Sequence, residues 1–190
     1  MARGKKVRNE SPLAALTLYK RMSSDEIIDS ALQRYERPLI SYAKTITNDL
    51  ESARDAVQET FLRLSRQDVR ALESRLAPWL YFVCRNCALD YVRKVARFSA
   101  DGIDEEFPAK DASPAAEVAA AEETERLRWM IAQLPQQQRE LVHLKFEAGL
   151  SYKEIADTTR MSVSSVGVQL HAAIQTLRRL WKRENTGVIP

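Results

Sequence analysis

The last third of the sequence carries side chains that are suited to contact with nucleic acid. Ser151 and Glu154 form an S-x-x-E capping box, which predicts a short helix that begins there and ends near residue 158. After a turn at 159–161, Ser162 predicts the start of a longer helix that extends to about residue 183. A short helix, a tight turn and a longer helix are the signature of a helix-turn-helix, whose second helix enters the major groove of DNA.

The second helix of this unit supplies the candidate base contacts, because residues near the start of such a helix reach base edges. The exposed candidates are Ser164, Ser165, Gly167, Val168, Gln169, His171 and Ala172. Cations that can reach phosphates, which position a protein without reading sequence, are Arg160, Arg178, Arg179, Lys182 and Arg183. An ordinary helical hairpin with a basic tail is the alternative interpretation of this segment.

A second candidate surface lies on a long helix that Pro78 is predicted to start and that ends near residue 97. Helical spacing places a set of polar and charged residues on its outer face: Asn86, Asp90, Arg93, Lys94 and Arg97. Aromatic and cationic residues are interleaved near its start: Arg75, Trp79, Tyr81, Phe82 and Arg85. Such a mixture suits unpaired bases, which stack on the rings while phosphates meet the cations. The alternative is that these aromatic side chains belong to the core.

The sequence shows no constellation typical of an enzyme or a metal site. It lacks a glycine-rich phosphate loop, a paired nucleophile and base, and a cluster of metal ligands. The only two cysteines form a C-x-x-C pair within the helical stripe Leu80, Val83, Cys84, Cys87, Tyr91 and Val95, which indicates buried structural thiols. His143 and His171 are too few to complete a zinc set. We therefore expect no catalytic residues, no metal and no cofactor.

Composition and charge favour an all-α protein with two basic ends. Glycine occurs only five times, and Ala, Leu, Arg, Glu and Gln dominate, which favours helix. The net charge is +6 over residues 1–97 (18 Lys and Arg against 12 Asp and Glu), −7 over 98–126 (2 against 9) and +4 over 127–190 (9 against 5). Basic ends indicate phosphate-bearing partners. No apolar run approaches the roughly 18–20 residues that span a bilayer, and no signal peptide is apparent, so we expect a cytoplasmic protein.

Apolar periodicity predicts two small helical domains joined by a flexible acidic linker. The first domain, 23–97, contains helices near 25–47, 51–66 and 78–97, and Pro38 predicts a break or kink in the first of these. The linker, 98–122, is rich in Asp, Glu, Ala and Pro. The second domain, 123–184, contains helices near 123–134, 136–147, 151–158 and 162–183. Residues 1–22 are predicted to be a disordered tail, and 185–190 a short C-terminal one.

Three motifs, in this order, resemble those of bacterial RNA polymerase sigma factors of the extracytoplasmic-function (ECF) group. The segment 55–64, DAVQETFLRL, resembles their core-binding helix. The segment 79–94, WLYFVCRNCALDYVRK, resembles the W-L-x-x-x-x-x-N-x-x-x-D-x-x-R helix of the group. Leu134-Pro135 followed by 150–156, LSYKEIA, resembles the domain that binds the upstream promoter element. The resemblance covers about residues 25–183 and implies a specificity subunit that recruits core RNA polymerase to promoters and assists their opening.

The resemblance also implies a role for each candidate surface. The clamp of the largest polymerase subunit would be bound by Asp55, Gln58, Glu59, Leu62 and Arg63. The loop 67–77 and the helix that follows it would capture an unstacked base of the minus-ten element and hold the adjacent backbone. The residues of this site would be Arg70, Arg75, Trp79, Asn86, Asp90, Arg93, Lys94 and Arg97. The minus-35 element would be read by Arg160, Ser164, Ser165, Val168, Gln169, His171 and Arg178. The upstream-facing flap of the polymerase is a further implied partner, and an anti-sigma factor is one that the resemblance allows.

One departure from the group concerns the recognition helix. Members commonly carry Lys or Arg where this chain has Gly167, Gln169 and Ala172, and a glycine within a helix costs about 1 kcal/mol relative to Ala. We therefore expect this departure to weaken minus-35 binding. Two other hypotheses stay open: a stand-alone helix-turn-helix regulator that binds duplex DNA without polymerase, and a helical interaction protein with a redox switch at the C-x-x-C pair.

Overall fold

A computed structural model of the chain describes residues 22–72, 75–100 and 118–185, and every regular element in these ranges is a helix. The N-terminal bundle consists of α1 (Ser24–Thr47), α2 (Leu50–Leu64), α3 (Val69–Leu72) and α4 (Leu76–Ala100). The C-terminal domain consists of α5 (Val118–Ala132), α6 (Gln136–Val142), a π-helical turn (His143–Glu147), α7 (Tyr152–Thr159) and α8 (Val163–Asn185). The all-α prediction is confirmed for this part of the chain. Most of the predicted N-terminal tail, most of the acidic linker and most of the C-terminal tail lie outside the described residues.

Side-chain caps define the first two helices. The Ser23 hydroxyl accepts a hydrogen bond from the Glu26 amide at 3.2 Å, and the Glu26 carboxylate accepts one from the Ser23 amide at 2.6 Å. Asn48 ends α1 in the left-handed conformation, with φ 59°. The Asp49 carboxylate then caps α2 by accepting from the Ser52 amide at 2.7 Å, and this hydrogen bond lowers the pKa of Asp49. Two short polar signals thus place the turn between the two long helices.

Pro38 lies inside α1 and does not end it, so the predicted break is not seen. A proline in a helix interior removes one backbone hydrogen bond and usually costs about 3 kcal/mol or more. Here Ile27 and Ala31 before it, and Leu39 and Tyr42 after it, are all buried in one core. Packing on both sides of the proline therefore holds the helix together.

The central element of the N-terminal bundle is α4, because α1, α2 and α3 all pack against it. The predicted stripe is buried at Leu80, Val83, Cys84 and Cys87. It ends earlier than predicted, since Tyr91 is only partly buried and Val95 is exposed. That end of α4 runs past the α1–α2 turn, which leaves the last residues of the stripe with little to cover them.

Turn residues and caps position the helix-turn-helix of the C-terminal domain. Gly149 adopts φ 70°, a conformation that favours glycine, just after the π-helical turn. Ser151 and Glu154 form the predicted capping box of α7, with hydrogen bonds of 3.3 Å and 2.8 Å. Arg160 ends α7 in the left-handed conformation, with φ 59°. The core of this domain contains Met130, Leu134, Leu141, Leu144, Leu150, Ile155, Val166, Leu170 and Ala173.

The predicted helix 136–147 is continuous along the chain but changes its hydrogen bonding half-way. The amide of Ala148 donates to the carbonyl of His143 at 3.1 Å, five residues back, which is the π-helical pattern. The amide of Leu150 donates to the carbonyl of Leu144 at 3.0 Å and closes the turn. Nothing in the apolar periodicity signalled this change.

The two domains touch each other, which the sequence did not predict. Helix α6 packs against α1, and α7 packs against α4. At the centre of this inter-domain contact, the Glu140 carboxylate accepts from the Tyr42 hydroxyl at 2.8 Å and from the Arg85 guanidinium at 2.7 Å. The sequence predicted two domains on a tether and did not predict this direct contact between them.

The substitution Leu64→Ala tests the core of the N-terminal bundle. Leu64 is fully buried, so we expect its truncation to lower the free energy of unfolding by about 2–5 kcal/mol. The matched control is Leu62→Ala on the same helix, because Leu62 is 54% exposed and its loss creates no cavity. Urea denaturation monitored by helical circular dichroism gives both values. Equal effects of the two substitutions would show that the buried face of α2 has been misassigned.

Candidate nucleic-acid interface

The start of α8 presents most of the predicted minus-35 residues to solvent. Ser162 precedes the helix, and its hydroxyl accepts from the Ser165 amide at 3.0 Å, which satisfies one of the free amides of the first turn. Ser164, Ser165 and His171 are exposed, and Val168 is 66% exposed. A hydroxyl, an imidazole and an apolar side chain on one exposed surface can hydrogen-bond base edges and contact thymine methyl groups.

Gln169 and Gly167 face the protein more than the sequence suggested. The Gln169 side-chain oxygen accepts from the Gln138 amide at 3.2 Å, and Gln169 is partly buried. A Cβ atom on Gly167 would lie 3.7 Å from the ring of Tyr152, which is an ordinary van der Waals distance. Two of the three positions where this chain departs from the group therefore lie against neighbouring side chains of its own fold, and only partly toward solvent.

Cations flank the exposed start of α8 on both sides. Arg160 is exposed in the turn between α7 and α8. Arg178 and Arg179 are exposed about two turns beyond His171 on α8. Arg179 donates to the Thr176 hydroxyl at 3.1 Å. This arrangement suits a duplex whose bases meet the first turns of α8 while its phosphates meet the arginines.

The outer face of α4 also carries the predicted cations, and two of them, Arg93 and Arg97, form hydrogen bonds within the helix. Arg93 donates to the Asp90 carboxylate at 2.9 Å, and both side chains are more than half exposed. The Arg97 guanidinium donates to the backbone carbonyl of Arg93 at 3.3 Å, and Lys94 is exposed. Exposed ion pairs of this kind contribute roughly 0–1 kcal/mol, so a phosphate can replace the carboxylate at little cost.

Asn86 and Arg70 each donate a hydrogen bond to a backbone carbonyl of the N-terminal bundle. Its side-chain amide donates to the backbone carbonyl of Phe82 at 2.9 Å, and the residue is partly buried. Arg70 is exposed, and its guanidinium donates to the carbonyl of Met22 at 3.2 Å. The Asn86 bond uses one of the two N–H donors of its amide, so a base can pair with the second N–H and the amide oxygen.

Arg75 and Trp79 lie together at the edge of a cleft of about 370 Å³ between the two domains. Trp79 and Phe82 are partly buried, and Tyr81 is fully buried in the core, as the alternative interpretation of the aromatic residues allowed. The opposite side of the cleft is formed by α7, through Glu154, Asp157 and Thr158. A cation and an indole ring of the N-terminal bundle thus face carboxylates of the C-terminal domain.

The predicted polymerase-binding residues lie along the exposed side of α2. Asp55, Gln58 and Leu62 are exposed, and Arg63 donates to the Glu59 carboxylate at 2.8 Å. A groove of about 480 Å³ between α1 and α2, which we name the α1–α2 groove, is lined by Leu32, Glu36, Ile40, Arg54, Val57, Gln58, Phe61, Leu62 and Ser65. The sequence interpretation missed the α1 side of this groove, and Phe61 is partly buried at its floor. The signal was present, since Leu32 and Ile40 are eight residues apart, close to two helical turns.

In the part of the chain that the structure describes, the cysteines and the acidic residues form neither a reactive thiol site nor a metal site. Cys84 and Cys87 are buried, and burial raises the pKa of Cys84 to about 12, so its reactive thiolate is scarce at neutral pH. Across the same described ranges, no cluster of three or more His, Cys, Asp or Glu side chains could hold a metal ion. Nor is any helix there both long and apolar enough to cross a bilayer.

Comparison with known proteins assigns both halves of the chain. Residues 31–98 match the family description Sigma-70 region 2, and residues 124–177 match Sigma-70, region 4. The ECF RNA polymerase sigma factor SigM of Bacillus subtilis is 33% identical over 159 residues, which cover 82% of this chain and 96% of SigM. The chain belongs to the ECF RNA polymerase sigma factors.

Other relatives agree with this assignment. The ECF sigma factor SigL of Mycobacterium tuberculosis is 30% identical over 167 residues, covering 83% of this chain and 93% of SigL. The sigma factor RpoE of Bartonella quintana, solved in complex with the anti-sigma factor NepR, shares the fold with a TM-score of 0.63 and 23% identity, covering 81% of this chain and 96% of RpoE. CnrH, solved with the cytosolic domain of CnrY, shares it with a TM-score of 0.54 and 20% identity, covering 89% of this chain and 96% of CnrH.

Membership of this family establishes the function in general terms. The protein is a sigma factor, a transcription initiation factor that directs RNA polymerase to specific promoters. Its region 2 corresponds to most of the N-terminal bundle, and its region 4 corresponds to most of the C-terminal domain. Sigma factors as a class are non-catalytic transcription initiation factors.

The substitution Gly167→Ala tests the cost of the glycine in the recognition helix. Because a Cβ fits beside Tyr152 and α8 is helical there, we expect the alanine to raise the free energy of unfolding by about 1 kcal/mol. The matched control is Gly149→Ala, which should lower it by about 1–2 kcal/mol, since alanine is strained at φ 70° even with open space around it. Thermal denaturation compares the two. A loss of stability in Gly167→Ala would mean that the ring of Tyr152 cannot accept the added methyl group.

Proposed function

We propose that the α1–α2 groove is the site at which this sigma factor binds core RNA polymerase. The groove is apolar at its floor and charged at its rim, with Leu62 exposed on one side and Leu32 on the other. An amphipathic helix fits such a groove by burying its apolar face there. The occupant that the family resemblance implies is the coiled coil of the clamp in the largest polymerase subunit, contacted by Asp55, Gln58, Glu59, Leu62 and Arg63.

The DNA-binding work is divided between the two domains. In this proposal, residues 23–97 capture an unstacked base of the minus-ten element with Trp79 and Asn86. Cations of α4 and of the segment 67–77 hold the backbone beside that base. The interleaved rings and cations at the start of α4 support this assignment, because bases stack on rings and phosphates bind arginine. The exposed acceptors, imidazole and apolar side chain at the start of α8 support minus-35 recognition by residues 123–184.

Two further partners belong to the proposal. The upstream-facing flap of the polymerase is placed on the C-terminal domain, where Leu127 and Trp129 of α5 are exposed apolar residues. An anti-sigma factor is proposed because RpoE was solved in complex with the anti-sigma factor NepR, and CnrH in complex with the cytosolic domain of CnrY. The chain acts without catalytic residues of its own, in the cytoplasm, where bacterial RNA polymerase works.

The substitution Leu62→Glu tests the polymerase site. A buried, unpaired carboxylate in an apolar contact costs several kcal/mol, so we expect binding to core polymerase to weaken at least about tenfold. The matched control, Val95→Glu, adds the same charge at an exposed apolar residue of α4 outside the groove and should leave core affinity unchanged. Fluorescence anisotropy with labelled protein measures both affinities. Wild-type affinity in Leu62→Glu would place the polymerase elsewhere on the chain.

The double substitution Arg93→Ala with Lys94→Ala tests the minus-ten surface. Loss of two phosphate contacts should reduce promoter opening more than it reduces binding to core polymerase. Opening is measured by permanganate reactivity of unpaired thymines, and core binding by anisotropy as above. The control Arg54→Ala removes an exposed cation at the edge of the α1–α2 groove, and it should reduce binding to core polymerase more than it reduces promoter opening. An equal loss of opening and core binding in the double variant would contradict the assignment of this face.

A further inference from the structure

One side-chain amide on the recognition helix is held by a second amide from a neighbouring helix. The Gln138 nitrogen, on α6, donates to the Gln169 oxygen, on α8, at 3.2 Å, and both residues are partly buried. A glutamine side chain carries one acceptor oxygen and one NH2 group with two N–H donors. The hydrogen bond turns the Gln169 oxygen toward α6, so the NH2 group is the end of Gln169 that is directed away from α6.

The packing of α6 against α8 fixes the position of both amides. Leu141, one turn after Gln138, is buried, as are Val166 and Ala173, which lie one turn before and one turn after Gln169. The Gln138 oxygen is itself buried and has no hydrogen-bond partner among the residues that the structure describes. Because the domain encloses that oxygen, the nitrogen is the end of Gln138 that reaches α8.

Gln169 borders the exposed face of the recognition helix. Ser164, Val168 and His171 are exposed and follow one another at spacings of four and three residues, so they form one stripe along that face. Gln169 comes directly after Val168 and is only partly covered. Its side chain therefore lies at the edge of the surface to which we assign minus-35 recognition.

An amide that presents its NH2 group matches guanine best among the four bases. In the major groove, guanine presents two acceptors, N7 and O6, whereas adenine presents the acceptor N7 beside the N6 donor. Thymine offers one acceptor, O4, and cytosine offers the N4 donor. The two N–H groups of Gln169 match the two acceptors of guanine, which is the base that Lys and Arg also bind through donors alone.

Adenine is the base that an unrestrained glutamine commonly reads, because the amide oxygen and one N–H pair with N6 and N7. The Gln169 oxygen keeps a second lone pair, but it faces α6 and already accepts from Gln138. Adenine N6 would have to share that oxygen with Gln138, whereas guanine needs only the NH2 group. The contact with Gln138 therefore favours guanine over adenine.

We propose that Gln138 is a positioning residue that makes Gln169 a reader of guanine in the minus-35 element. The inference rests on the proposed minus-35 role of α8 and names one base of its target. Gln169 stands at a position where members of the group commonly carry Lys or Arg. In this arrangement it keeps their donor pattern and lacks their charge.

The test selects duplex DNA from a random-sequence library with holoenzyme assembled from the full chain and core RNA polymerase. Wild-type holoenzyme should enrich an upstream element, and Gln169→Ala should erase the preference at one base pair of it. We expect guanine at that base pair, enriched over adenine about fivefold or more by the wild type. Adenine there, or an element that Gln169→Ala leaves unchanged, would overturn this inference alone. Enrichment of no upstream element would overturn the proposed minus-35 role as well.

The substitution Gln138→Leu tests the positioning role in the same selection. It releases the Gln169 oxygen, so the ratio of guanine to adenine at that base pair should fall about fivefold while the rest of the element is unchanged. The matched control Gln137→Leu makes the same change at the neighbouring exposed residue and should keep the ratio.

The substitution Gln169→Lys supplies donors without an oxygen. Guanine should therefore stay preferred in Gln169→Lys, both alone and combined with Gln138→Leu. Circular dichroism confirms that each variant is folded. An unchanged ratio in Gln138→Leu, or an equal loss of enrichment at every base pair, would overturn the positioning role, because a merely structural contact does not change the identity of one base.

Discussion

The burial of one face of α4 is the constraint on which the rest of the structure depends. Leu80, Cys84 and Ala88 lie in the core, where α1 and α2 pack against them. Because the inner face is fixed, the opposite face must present Arg93, Lys94 and Arg97 to solvent. The same packing sets α1 and α2 side by side and so forms the α1–α2 groove. The apolar stripe of α4 thus determines which face of that helix is exposed to DNA, and it holds α1 and α2 in the arrangement that forms the α1–α2 groove.

The sequence carried the local signals for most of this arrangement. The capping box at Ser151 and the apolar stripe of α4 each depend on residues within a few turns of one another, so spacing alone predicts them. The continuity of α1 through Pro38 was not predictable in this way. It depends on burial of Leu39 and Tyr42 by other helices, and such tertiary packing overrides the local cost of proline.

The site residues divide in the same manner. Exposure of Leu62, Arg93 and Val168 follows from helix periodicity and was predicted. The inward hydrogen bonds of Asn86 and Gln169, and the pairing of Glu140 with Tyr42 and Arg85, were not. A glutamate between Arg139 and Leu141 has the appearance of an ordinary solvated charge, and its partners are 98 and 55 residues away in the chain. Pairings at that separation are set by how domains dock, which no local pattern encodes.

Hydrogen–deuterium exchange of the full chain, free and bound to core polymerase, tests the central claim most directly, because it reports whether the α1–α2 groove becomes covered. The account predicts slower exchange in α2 on addition of polymerase. Unchanged exchange in α2 would contradict it.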